Sequence, residues 1–179
     1  MNNPEKIVRF EEQMMPHLAA AHSMARWMAR NPEDAHDIVQ EAFIRAIRFF
    51  DGFRGENAKA WLLSIVRNTG YTWLRRHRAH NFDAVVDDET FEAPDSAPGP
   101  EAQMAQSAHQ ELIRKAMEAI PLEFREIVIL RDLEGFSYKE IVELTGLPMG
   151  TVMSRLSRAR SRLQKEVVER AGKEIGHEL

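Results

Sequence analysis

The chain has 179 residues, with 24 Lys and Arg against 28 Asp and Glu, a net charge of −4 and a pI near 6.0. Hydrophobic content of 44% with 29% charge is that of a globular chain. The absence of cysteine excludes disulfide frameworks, thiolate zinc sites and cysteine nucleophiles. Apolar runs never exceed four residues, too short for a membrane span or a signal-peptide core, so a cytoplasmic protein with no membrane insertion is expected.

An acidic total is unusual for a nucleic-acid module, but the total averages unlike parts. Residues 1–80 carry 12 basic and 9 acidic side chains, a net of +3. Residues 81–110 carry seven acids and no base, and residues 111–179 carry 12 of each. The acidic stretch also holds Pro94, Pro98, Gly99 and Pro100, a composition that resists compact folding. The expected organisation is therefore an N-terminal module over 1–80, an acidic flexible linker over 81–100 and a C-terminal module over 101–179.

In chain order, Leu18 to Met28 is an amphipathic helix. Asn31-Pro32-Glu33-Asp34 is a start signal: an N-cap candidate, Pro at the first helical position, then acids suited to the helix dipole. Behind it Ile38, Val39, Ala42, Phe43, Ala46, Ile47 and Phe50 recur at helical spacing up to Asp51-Gly52. The next helix is expected over 58–78, burying Trp61, Leu62, Ile65, Val66 and Leu74. Helices over 101–119 and 121–133 follow. Ser137-Tyr138-Lys139-Glu140 is a capping box that starts a third, ending at Thr145-Gly146. Pro148 opens a fourth, running through Leu163. No stretch shows strand alternation, so the fold class is all-α, as two small helical domains.

A short helix, a Gly-containing turn and a longer basic helix form the helix-turn-helix pattern. At 100° per residue, Val152, Leu156, Ala159 and Leu163 make the inward stripe of the last helix. Met153, Ser154, Ser157, Arg158 and Ser161 lie opposite, with Arg155 on the flank. Small polar residues interleaved with Arg suit a face that enters the major groove, where Arg and Ser reach base edges and cations neutralise phosphates. A merely solvated face would more commonly carry Lys and Glu.

Three stretches resemble the extracytoplasmic-function class of RNA polymerase sigma factors, group 4 of the sigma-70 superfamily. They are Asp34-Ala-His-Asp-Ile-Val-Gln-Glu-Ala-Phe43; Phe53-Arg-Gly-Glu-Asn-Ala-Lys-Ala-Trp-Leu62 with Ile65-Val-Arg-Asn-Thr69; and Leu130-Arg-Asp-Leu-Glu-Gly-Phe-Ser-Tyr-Lys-Glu-Ile141 with Gly150-Thr-Val-Met-Ser-Arg155. The resemblance implies sigma region 2 over 1–80 and sigma region 4 over 101–179. It implies docking on core RNA polymerase, at the β′ clamp and the β flap, with Asp37, Gln40, Glu41, Ile44, Arg45 and Arg48 forming the clamp-facing helix side.

The same resemblance implies that Arg54, Asn57, Lys59, Arg67, Asn68, Tyr71 and Arg75 meet the −10 element of promoter DNA. Basic and aromatic side chains together suit unstacked bases, and an amide such as that of Asn68 can pair with a Watson–Crick edge. Trp61 is expected in the core. For the −35 element the resemblance implies base reading by Met153, Ser154, Ser157 and Arg158, with Thr151 and Arg155 on phosphates. Met153 departs from the basic residue many relatives have there, which suggests an apolar touch. An anti-sigma factor that covers both modules is the implied regulator. Taken as about 79–100, a linker of about 22 residues stretches to roughly 70–75 Å at most, against about 34–36 Å per turn of DNA, so two modules could hold sites a couple of turns apart.

No cofactor, metal or enzymatic activity is expected. Glu33-x-x-His36 and Glu174-x-x-His177 match the carboxylate-bridged di-iron pattern, but neither is placed for a bundle core. His77-x-x-His80 lies among Arg75, Arg76 and Arg78 and is a poor cation site. The alternative is a stand-alone helix-turn-helix regulator whose N-terminal helices sense a ligand or dimerise.

Overall fold

Three helix starts in this chain are set by capping side chains visible in the sequence, Asn31, Asn57 and Ser137. The computed structural model describes residues 4–29, 31–55, 57–80 and 100–176. The Asn31 side chain accepts the Asp34 amide proton at 2.7 Å and opens α3 (Pro32–Phe49). Ahead of it lie α1 (Pro4–Met14), not anticipated from the sequence, and α2 (Leu18–Met28). The helix over Ala58–His80, α4, has its first turn capped by the Asn57 side-chain oxygen Oδ1, which accepts from the Ala60 amide at 2.9 Å. The missed α1 contributes Phe10 and Met14 to the core, Phe10 meeting Phe43 and Phe50 edge to face.

These four helices close around Met24, Met28, Ile38, Val39, Leu62, Leu63 and Val66, all buried. Trp61, Ile65 and Leu74, expected inside, are only half-buried, and Leu63 takes an inner place instead. At Gly70 of α4 an added Cβ would lie 2.7 Å from the end of the flexible Met28 side chain, which would have to shift to admit it.

The second unit comprises α5 (Pro100–Ala119), α6 (Leu122–Val128), α7 (Tyr138–Thr145) and α8 (Met149–Gly176). Apart from Pro100 at the start of α5, the expected linker lies outside the described residues. A π-helical turn, Ile129–Leu133, extends α6, with the Glu134 amide reaching back to the Ile129 carbonyl at 2.9 Å. Gly135 and Gly146 follow their helices at φ of 77° and 73°, the left-handed region where glycine avoids a Cβ clash. At α7 the capping box is complete: the Ser137 hydroxyl accepts from the Glu140 amide, and the Glu140 carboxylate accepts from the Ser137 amide at 2.8 Å. The last helix runs beyond the expected end near Leu163.

The two units pack directly on one another. Seven consecutive residues, Phe124 through Leu130, are buried, which covers every side of α6. One side faces α8, and another faces α2. Arg125, 4% exposed, ties the seam: its guanidinium donates to Trp27 O at 2.7 Å and to Glu118 O and Ile120 O at 2.9 and 3.1 Å. Those carbonyls belong to the ends of α2 and α5, where helices leave acceptors unpaired. Buried residues of both units therefore form one contiguous cluster.

Replacing Ser137 by Ala removes one half of the capping box. Equilibrium urea unfolding is expected to show a loss of about 1 kcal/mol.

Candidate nucleic-acid interface

The recognition surface begins with a helix-turn-helix whose angle is set locally. The Thr145 hydroxyl donates to the Ile141 carbonyl at 2.6 Å and accepts from the Leu147 amide at 3.2 Å, closing α7. Gly146 then turns the chain, and the Pro148 carbonyl receives the Thr151 and Val152 amides as α8 starts. Ile141 and Leu144 of α7 and Val152, Leu156 and Ala159 of α8 are buried. With the inner stripe occupied, Ser154, Ser157 and Arg158 stand exposed, and Met153 is 51% exposed. Thr151 and Arg155 are half-buried at the rim. The six residues read from the sequence as the −35 set thus share one face and its edge.

Two other arginines of α8 have structural partners. Arg160 grips both carboxylate oxygens of Asp132 at 3.1 and 2.5 Å, and the Arg162 guanidinium lies 4.8 Å from the Phe124 ring centre. Arg158 stands exposed on the outer face of α8 beside Ser154 and Ser157.

In the first unit, the helix side read as polymerase-facing is continuous along α3. Asp37, Gln40, Ile44 and Arg48 are exposed, while Glu41 and Arg45 pair with each other and are half-buried. Ile44 is 60% exposed, as is Phe49. Phe49 was not singled out in the sequence; its exposure beside Ile44 is visible only in the structure. Glu33 and His36 lie exposed at the start of this helix, His36 bonded to Gln40 at 2.7 Å. Among the described residues no group of three or more His, Asp or Glu is placed to hold a metal ion; His177 lies outside them.

The −10 set divides in two. Arg54, Asn68 and Arg75 are exposed. The remaining four meet the second unit. The Asn57 amide donates to Glu140 Oε1 at 3.0 Å. The Lys59 ammonium bonds the Glu134 carboxylate at 2.8 Å and its carbonyl at 3.1 Å, 5.3 Å from the Phe136 ring centre. Arg67 donates through Nε to Glu126 Oε1, and the Tyr71 hydroxyl donates to Glu126 Oε2 at 2.5 Å. The Arg67 guanidinium also lies 4.9 Å from the Tyr71 ring centre.

Glu126 is fully buried, with each carboxylate oxygen taken by one donor. Burial, and the Glu126 carboxylate beside it, push the Tyr71 hydroxyl well above its ordinary range; Arg67 and Arg155 act in the opposite sense. Arg155 therefore brings the rim of the recognition helix within electrostatic reach of α4. Sequence reasoning did not single out Glu126 or Glu134. The available signal was a charged pair, Arg125-Glu126, inside the otherwise apolar run from Phe124 to Leu130.

Residues 14–80 match the family model for sigma-70 region 2, and residues 110–163 match the model for sigma-70 region 4. The chain is also 37% identical over 142 residues to the extracytoplasmic-function sigma-E factor of Escherichia coli K12, covering 75% of this chain and 74% of that protein. It belongs to the extracytoplasmic-function sigma factors. The sigma-E factor of Haemophilus influenzae is 34% identical over 151 residues, 80% of this chain and 79% of that one.

Among solved structures, this sigma factor is similar to the sigma factor RpoE of Bartonella quintana, crystallised with the anti-sigma factor NepR. The TM-score is 0.72 at 30% identity, over 89% of this chain and 96% of that one. It shares its fold with CnrH in complex with the cytosolic domain of CnrY, at a TM-score of 0.60 and 23% identity. In region terms, α2–α4 lie within region 2, and the helix-turn-helix α7–α8 belongs to region 4.

The two faces of α8 separate experimentally. Leu156→Ala is expected to cost about 2–5 kcal/mol in urea unfolding, and Met153→Ala to stay within about 0.5 kcal/mol of the parent. Equal losses would contradict the assignment of inner and outer faces.

Proposed function

We propose that this sigma factor joins core RNA polymerase through the exposed side of α3 and directs it to promoters. Region 4 reads the −35 duplex, and region 2 captures the unpaired −10 strand. The observation that carries the reading is the outer face of α8, where Met153, Ser154, Ser157 and Arg158 project from a helix anchored by Val152, Leu156 and Ala159. Arg158 offers paired donors to a guanine edge, Ser154 and Ser157 make shorter polar contacts, and Met153 suits a thymine methyl. Thr151 and Arg155 at the rim suit phosphates.

On the other module, Asn68 offers an amide to a base edge, and Arg54 and Arg75 offer charge to the strand. Asn57, Lys59, Arg67 and Tyr71 complete that surface when region 4 does not occupy them. The mixed side of α3, with Ile44 exposed among Asp37, Gln40, Glu41, Arg45 and Arg48, suits the β′ clamp, and region 4 suits the β flap. The protein supplies binding and strand capture, while the covalent chemistry belongs to the polymerase. The Bartonella quintana sigma factor crystallised with the anti-sigma factor NepR supports such a regulator here. Among the described residues no helix is long and apolar enough to cross a membrane.

The deciding experiment adds the protein to core polymerase on a promoter taken from transcripts induced by its overexpression, and maps unpaired thymines with permanganate. Opening around −10 is expected only with both components. Duplex binding without opening would favour a stand-alone regulator. In the same assay Arg158→Ala should weaken −35 use by about 1–3 kcal/mol, and an unchanged promoter preference would refute its base-reading role.

A further inference from the structure

The exposed surface of α8 is not polar throughout. Met149 is 42% exposed and Met153 51% exposed, although each carries an apolar side chain that burial would stabilise. Four residues apart, they lie about 40° apart around the helix and about 6 Å apart along it. Gly150, between them, presents no side chain, and a Cβ added there would meet nothing within 4 Å. The start of α8 therefore offers two exposed, adaptable thioethers beside bare backbone, an arrangement that admits another molecule at close range.

The charge around this patch constrains what covers it. From Thr151 to Lys165 the helix has no acid, but it carries Arg155, Arg158, Arg160, Arg162 and Lys165. Ser154 and Ser157, exposed near Met153, add only short hydroxyls. An occupant suited to this surface presents anionic groups and small apolar groups together. The major groove of duplex DNA does so, because phosphates line its rims and its thymines project a C5-methyl group into it.

We propose that Met149 is a further specificity-determining residue of this sigma factor, and that it and Met153 read thymine methyls one or two base pairs apart in the −35 element. This rests on the reading of α8 as the −35 reader and adds Met149 to it, with a methylated pyrimidine as the ligand. The spacing follows from about 6 Å between the two side-chain origins against about 3.4 Å per base pair. The division of labour on α8 is chemical: Arg158 takes hydrogen-bonding base edges, and the methionine pair takes methyl groups. A −35 element with at least one A·T pair is a consequence.

Replacing thymine by deoxyuridine removes the methyl and leaves every hydrogen-bonding group of the base pair in place. The full-length protein with core polymerase is bound in competition assays to the permanganate-mapped promoter, each −35 thymine of either strand being replaced in turn. Loss of a contacted methyl is expected to weaken binding about three- to fourfold, at two positions no more than two base pairs apart. Met149→Ala should abolish the effect at one position and Met153→Ala at the other, while Met149→Leu, still apolar, retains it. Arg158→Ala lowers affinity overall but should keep both methyl effects. A native −35 element that is preferred over a scrambled one yet indifferent to every methyl would overturn the proposal alone, as would methyl effects that Met149→Ala leaves unchanged. No preference for the native −35 element would overturn the reading of α8 and the proposal with it.

Discussion

A carboxylate shut off from water determines how the two halves of this molecule meet. Glu126 lies in the middle of the run from Phe124 to Leu130, where an unpaired charge would be untenable. Its two oxygens are satisfied by Arg67 and Tyr71 of α4, across the seam. Losing one partner from such a site typically costs about 3–5 kcal/mol, while replacing the whole group by apolar residues is often neutral. The charge is thus poorly explained by stability alone.

The rest of the seam follows the same logic. Lys59, Glu134, Asn57 and Glu140 are polar groups at its edge, and Arg125 joins the carbonyl ends of α2 and α5 beside it. Each module keeps exposed the surface that the proposed function assigns to it. The side of α3 around Ile44 faces outward, and so does the outer face of α8. The acidic total of the chain misrepresents both modules, since seven acids without a single base are concentrated in residues 81–110.

Most of the architecture was legible in the sequence because its punctuation is local. Asn31-Pro32, Ser137 with Glu140, and Gly146 act through bonds within a few residues, and their helices begin and end where those bonds dictate. The faces of α8 were legible for the same reason, since helical spacing alone separates Val152 and Leu156 from Met153 and Arg158. Two features were not. The first helix, α1, follows Asn3-Pro4-Glu5, the same sequence signal that opens α3, yet was not singled out, and it buries Phe10 and Met14. The engagement of Arg67 and Tyr71 by Glu126 joins residues 59 and 55 positions apart, a separation that no local pattern encodes. Basic and aromatic residues on α4 read as a nucleic-acid surface; nothing nearby in the chain shows that another part of the same protein occupies it.

Site-specific photocrosslinking in the complex with core polymerase and promoter DNA tests the division of labour most directly. With the crosslinker at position 158, attachment to the −35 duplex is expected. With it at position 68, attachment to the unpaired −10 strand of the same complex is expected. Crosslinks from position 68 to protein alone, or from position 158 to DNA outside the −35 element, would contradict the assignment of region 2 to the melted strand and region 4 to the duplex.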